Sequence, residues 1–157
     1  MRSPHRYAVM EGYLDDAAAT AAVFDDGWLR TGDVVRLDPD GFVHYVDRAR
    51  DIIKRAGENI SAREVEAVLE THPQVREAAV VGVPDTLREE LPVAFVVREP
   101  GTGVDAEALR EHCAEQLARH KVPAGFRFLD DLPRTAVGKV EKKALRASAG
   151  ATPAEEP

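Results

Sequence analysis

The sequence predicts an α+β protein, a short mixed β-sheet flanked by helices and preceded by a β-hairpin. Three observations predict it. Val34-Val35-Arg36-Leu37 and Phe42-Val43-His44-Tyr45-Val46 flank Asp38-Pro39-Asp40-Gly41, where proline presets the turn and glycine takes the left-handed position, a hairpin signal. Two mostly apolar stretches, 75–83 and 91–98, read as buried strands. Helical patterns follow two capping residues, Ser61 and Asp105.

Taken in order, Gly12-Tyr13-Leu14-Asp15-Asp16 is turn-like, and Ala17 to Phe24 suits a short helix because alanine is the best helix former. Asp25-Asp26-Gly27 stops it, glycine supplying a positive-φ end. After the hairpin, Asp47-Arg48-Ala49-Arg50-Asp51 is a charged joint without apolar period. Ile52-Ile53-Lys54 and the stretch after Gly57 form short strands around a glycine turn. Ser61-Ala62-Arg63-Glu64 is a capping box opening a helix with the apolar stripe Val65, Val68 and Leu69, which must end before Pro73. Pro84-Asp85 turns the chain between the two apolar strands. The helix capped by Asp105 runs to about Arg119, with Leu109, Cys113 and Leu117 on one face, so Cys113 reads as a small core residue. Phe126-Arg127-Phe128-Leu129 is a third short strand, and a last helix covers about 141–147.

A chain of 157 residues suits one compact domain, or one domain with an attached piece. It is 44% hydrophobic and 31% charged, ordinary for a globular protein. The net charge of −7 argues against a nucleic-acid surface, while local positive patches can still hold a small anion. The apolar runs are too short to span a bilayer, and no hydrophobic signal region follows Met1-Arg2-Ser3-Pro4-His5-Arg6. A single cysteine excludes an internal disulfide and fits a reducing compartment, so a cytoplasmic location is expected.

The familiar chemistries fail one by one. None of Ser3, Ser61 and Ser148 lies in a nucleophile elbow. The five histidines lack metal-ligand spacing, there is no CxxC, and no metal site is expected in the chain. No GxxxxGK[ST] loop occurs. Local chemistry alone leaves an α+β domain of unknown purpose; Lys139, after Gly138 in the polar turn Leu132-Pro133-Arg134-Thr135-Ala136-Val137-Gly138-Lys139, reads by itself as a solvated surface lysine or as an anion ligand. Such a lysine is a mobile, compact cation with three donors, suited to a phosphate.

Three segments in order give that lysine a context. Gly27-Trp28-Leu29-Arg30-Thr31-Gly32-Asp33 resembles the segment of adenylate-forming enzymes whose final aspartate holds the ATP ribose. The run from Tyr45 to Ile60 resembles their hinge and the loop after it, and Leu132 to Lys139 resembles their catalytic-lysine segment. The family comprises acyl-CoA synthetases, peptide-synthetase adenylation domains and luciferases.

The resemblance implies a C-terminal lid domain with a stub of a large N-terminal domain: residues 1–47 as the stub ending in the hairpin, 48–51 as hinge, 52–147 as lid, 148–157 as a disordered tail. It implies Lys139 as the catalytic cation for adenylation. Asp33 and Arg48 would contact ATP or AMP beside Lys139. Ala56, Gly57, Glu58 and Arg88 would contact coenzyme A, and Arg50 would be the hinge, a departure from the aspartate or lysine common there. ATP, magnesium and coenzyme A are the implied cofactors and co-substrates, with the magnesium site, phosphate loop and acyl pocket in the large domain. The implied partners are that domain and a small carboxylic acid; no nucleic acid and no membrane span are expected. Lys54 to Ile60 resembles the acyl-CoA ligase version of the loop. The alternatives are a peptide-synthetase adenylation fragment and a stand-alone lid or interaction module without activity.

Overall fold

The computed structural model describes residues 9–150; the first eight residues and 151–157 lie outside the described residues. The chain forms two compact units, Met1–Arg50 and Asp51–Pro157.

In the first unit, helix α1 (Ala17–Val23) is capped by Asp16, whose carboxylate accepts from the Ala19 amide at 2.8 Å. None of its residues is buried. Strands β1 (Phe24–Asp25) and β2 (Trp28–Leu29) pair antiparallel. Asp26 and Gly27 between them both have positive φ, 46° and 76°. Asp-Gly therefore does more than stop the helix: it closes a two-residue hairpin of the primed type. Strands β3 (Asp33–Leu37) and β4 (Val43–Arg48) form the expected hairpin. Asp38 organises its turn, accepting from the Asp40 and Phe42 amides at 3.1 and 2.9 Å and facing His44 Nε2 at 2.7 Å. The His44 ring, then the Phe42 amide, hold the Asp38 carboxyl below its usual value.

The second unit is a five-stranded mixed sheet. Its strands are β5 (Ile52–Arg55), β6 (Glu58–Ser61), β7 (Val75–Asp85), β8 (Glu89–Arg98) and β9 (Gly125–Leu129). The order is β6-β5-β8-β7, all antiparallel, with β9 added parallel to β8. The apolar runs of β7 and β8 are continuous because both faces are covered. Ala78, Val80, Ala94 and Val96 face one core, with Ala62, Val65 and Leu69 of α2 (Ala62–Glu70) and Leu109 and Cys113 of α3 (Ala106–Gln116). Their neighbours Ala79, Val81, Phe95 and Val97 face a second core, with Leu132 and with Leu145 and Ala149 of α4 (Lys142–Gly150). Strand period two thus splits one apolar run between two layers.

Capping fixes the helices. Ser61 Oγ accepts from the Glu64 amide at 3.3 Å and Asp105 from Ala108 at 2.9 Å. Arg127 of β9 donates to the carbonyls of Ser148 and Ala149 at 2.8 and 3.1 Å, so a cation closes the C-terminal end of α4.

Three boundaries differ from the expectation. Pro84 and Asp85 do not turn the chain; they continue β7 opposite Glu90 and Glu89. Proline is tolerated there because β7 is an edge strand. Helix α3 stops at Gln116 rather than near Arg119, and Arg119–Lys121 form a separate 3-10 turn. Pro123 follows, and the residue before a proline avoids the helical region; Val122 sits at φ −61° and ψ 129°. Helix α4 extends to Gly150, so 148–150 are helix and not tail, and Ala149 is buried.

Candidate functional site

The Lys139 turn is built on backbone bonds. Thr135 N donates to Lys139 O at 2.8 Å, Gly138 N to Thr135 O at 2.8 Å, and Glu141 N to Pro133 O at 2.7 Å. Thr135 Oγ1 accepts from Lys139 N at 3.3 Å, and Arg134 bridges Val140 across the loop. Gly138 holds φ 81°, a conformation that a side chain would strain. Lys139 is exposed, and no described residue hydrogen-bonds or pairs with its ammonium. Three of its basic neighbours are committed, Arg134 to Glu77, Lys142 to Glu66 and Arg146 to Asp51, each at 2.7 Å. A hydrogen-bonded turn thus presents an exposed cation.

In the same unit, Ala56 and Gly57 close the β5–β6 hairpin with φ 49° and 85°. Both central residues are left-handed, the geometry of a type I′ turn. The turn and Glu58 are exposed. Arg88 is brought against it, since Ala56 N donates to Arg88 O at 3.0 Å. Arg55 donates to His120 O at 2.6 Å. Burial, then the charge of Arg88, push the Arg55 guanidinium below its usual value, against the opposing charge of Asp85. Arg55 and the Arg88 backbone therefore meet at the Gly57 turn. Arg55 was not singled out from sequence; its place opposite Glu58, next to the glycine turn, was the available signal.

In the first unit, Asp33 and Arg48 are directly opposed across β3–β4. Arg48 Nη1 lies 2.9 Å from Asp33 Oδ1 and donates to Thr31 O at 2.7 Å. The register shift between Val34 and Val35 falls beside this pair, as bulges do where a strand must re-aim a side chain. Arg50 is exposed on a 3-10 turn, Ala49–Asp51. The predicted residues thus gather as three groups: Asp33 with Arg48, the 56–58 turn with Arg88, and Lys139 on its own loop.

Two acidic residues passed over in the sequence support the Lys139 loop. Glu66 is 6% exposed, accepts from Val80 N at 2.9 Å and pairs with Lys142. Glu77 pairs with Arg134. Among the described residues, no group of histidine, cysteine, aspartate and glutamate is arranged to hold a metal, and no helix is long and apolar enough to cross a membrane.

Residues 64–139 match the AMP-binding enzyme C-terminal domain. The chain is 47% identical over 137 residues to 2-succinylbenzoate–CoA ligase of Bacillus licheniformis, covering 87% of this chain and 28% of that protein. Among solved structures, the amide bond synthetase McbA of Marinactinospora thermotolerans superposes with a TM-score of 0.85 at 43% identity, covering 95% of this chain and 30% of the other. The o-succinylbenzoate CoA synthetase MenE of Bacillus subtilis, in complex with its acyl-adenylate intermediate, gives 0.82 at 41% identity, covering 95% and 30%. The chain spans less than a third of the length of these relatives. It belongs to the adenylate-forming, acyl-CoA synthetase family and carries that family's C-terminal domain.

Proposed function

We propose that the chain is the lid of an ATP-dependent acyl-CoA ligase, acting with a large N-terminal domain on a small carboxylic acid in the cytoplasm. The acid attacks the α-phosphate of ATP, giving acyl-adenylate and pyrophosphate; the coenzyme A thiol then attacks the acyl carbon and AMP leaves. The observation that carries this reading is the Lys139 ammonium, without a partner among the described residues, on a loop closed by backbone hydrogen bonds. Charge develops on the phosphate during adenylation, and a cation fixed beforehand stabilises it without reorganising. Asp33 presents a second carboxylate oxygen for ribose hydroxyls while Arg48 holds the first. Magnesium, which screens the phosphates, is assigned to the large domain.

The second half-reaction uses the Gly57 turn. The Arg88 backbone meets this turn, and the Arg88 guanidinium is the proposed partner of the coenzyme A phosphates. Residues 48–51, with Arg50 as the pivot, let the lid exchange Lys139 for the Gly57 turn between the two steps.

A large partner domain also accounts for apolar exposure in the first unit. Leu37, Phe42 and Tyr45 are 66%, 68% and 58% exposed, which an isolated hairpin does not favour. The test joins the chain to its large domain. Lys139→Ala should slow adenylation, read as pyrophosphate exchange, by about 10²–10³-fold. Thioester formation from supplied acyl-adenylate should stay within twofold on the same scale. Equal loss in both half-reactions refutes the exchange of positions.

A further inference from the structure

The loop that carries Lys139 is held to the sheet by one guanidinium. Arg134 Nη2 donates to both carboxylate oxygens of Glu77, at 2.8 and 2.7 Å. Its Nη1 donates to Gly138 O at 3.0 Å. That carbonyl belongs to the peptide joining Gly138 to Lys139. One planar group therefore fixes both the loop and the peptide from which the Lys139 side chain departs. Lysine cannot substitute, since a point charge on a flexible stem does not hold two acceptors in a set plane.

Glu77 is in place because of an irregularity in β7. Val75 opposes Arg98 and Glu77 opposes Val97, so Arg76 is an extra residue without a partner of its own. In a regular strand Val75 and Glu77 would share a face. Here Val75 lies in the core beneath α2 and α3, with Ala78 and Val80. Glu77 keeps step with Ala79 and Val81, which face Leu132 and α4. The bulge thus turns one carboxylate toward the Lys139 loop without moving Val75 out of its core.

Stability does not explain the arrangement. The Glu77 and Arg134 side chains are 26% and 41% exposed, and ion pairs at that depth contribute about 0–1 kcal/mol. What the pair supplies is aim. We propose that Glu77 and Arg134 are positioning residues that set the direction of the Lys139 ammonium for adenylation. This rests on the reading of Lys139 as the adenylation cation.

The test uses the chain joined to its large domain, with Glu77→Gln, Arg134→Lys and Lys139→Ala compared in the two half-reactions. Glu77→Gln keeps the size and loses the charge; it should lower the rate of pyrophosphate exchange about 10–100-fold, as misplacement of a reacting group does. The KM for ATP and thioester formation from supplied acyl-adenylate should stay within about twofold. Arg134→Lys, which keeps the charge and loses the fork, should fall in the same direction. Adding Glu77→Gln to Arg134→Lys should cost little more, because the two act through one contact. In the 157-residue chain, amide exchange at Lys139 should speed up in both variants. If Lys139→Ala stops adenylation while Glu77→Gln leaves it within twofold, the positioning role is wrong and the role of Lys139 stands. Parallel loss in both half-reactions makes the pair merely structural. If Lys139→Ala itself is silent, the reading of Lys139 fails and takes this one with it.

Discussion

Lys142→Met removes one partner of a buried charge and leaves the other. Glu66 is 6% exposed and its carboxylate accepts from two donors, Val80 N and Lys142 Nζ, at 2.9 and 2.7 Å. The Val80 amide lies on the edge strand of the sheet, where no further strand takes it. Breaking a fully buried pair costs about 3–5 kcal/mol. Lys142 is 18% exposed and Glu66 keeps its amide donor, so the expected loss is about 2–3 kcal/mol. For a unit of this size that lowers the melting temperature by about 10–15 °C. Glu66→Gln keeps an acceptor for Val80 and leaves a lysine that can reach water, at a cost of about 1 kcal/mol. The combined Glu66→Gln, Lys142→Met chain has no stranded charge and should lie within about 1 kcal/mol of the parent. Urea unfolding followed by far-ultraviolet circular dichroism supplies the four free energies. A loss below about 0.5 kcal/mol for Lys142→Met, or the same loss in both backgrounds, refutes the coupling.

Other outcomes follow from single contacts. Ala56→Gly should raise the urea midpoint, because relief of a left-handed alanine, worth about 1 kcal/mol, exceeds the entropy that glycine adds to the unfolded chain, about 0.5 kcal/mol; a lower midpoint contradicts this. Burial pushes the Cys113 thiol up to about 11, so about a thousandth is thiolate at pH 8. Alkylation by iodoacetamide should therefore be far slower in the native chain than in urea, and equal rates would show the thiol to be accessible. Burial, and then His112 at 5.1 Å between ring centroids, lower the His72 pKa. Its Nδ1 accepts from Gln74 N at 3.2 Å, a bond that protonation breaks. As pH falls below the ordinary value of 6.5, the unfolded chain takes up the proton first. The His72 contribution to stability is thus full above that value and lost as pH drops through the lower folded value. His72→Gln should flatten that acid limb in denaturant titrations at pH 7 and pH 5.

Short-range chemistry was legible in the sequence, and long-range chemistry was not. Asp38-Pro39-Asp40-Gly41, Ser61 and Asp105 act on neighbours two to four residues away, so their patterns announce them. The apolar runs of β7 and β8 announced strands, yet not that odd and even positions serve different cores. Glu66 and Glu77 looked like ordinary helix and strand acids because their partners lie elsewhere, Val80 at a separation of 14 residues and Arg134 at 57. Pro84 misled in the opposite sense: its turn preference yields to an edge position that needs no amide donor from it. Asp26-Gly27 carried a hairpin signal that two-residue strands were too short to make visible. Among the site residues, each turn was readable. The meeting of Arg88 with Ala56 depends on β5 and β8 lying side by side, which no local pattern states.

The division of the sheet into two cores has a consequence for the timing of motion. Among the described residues, the layer under α4 contains seven buried side chains, half of the fourteen beneath α2 and α3. Local opening draws on the apolar contacts it must break. The α4 layer should therefore exchange its amides sooner and yield to proteases first, while the other face of the same sheet stays closed. The loop bearing Lys139 belongs to that thinner layer through Leu132 and Leu145. Its fluctuations can be slowed or quickened by changes at Ala149 or Val81 that leave every proposed ligand contact untouched.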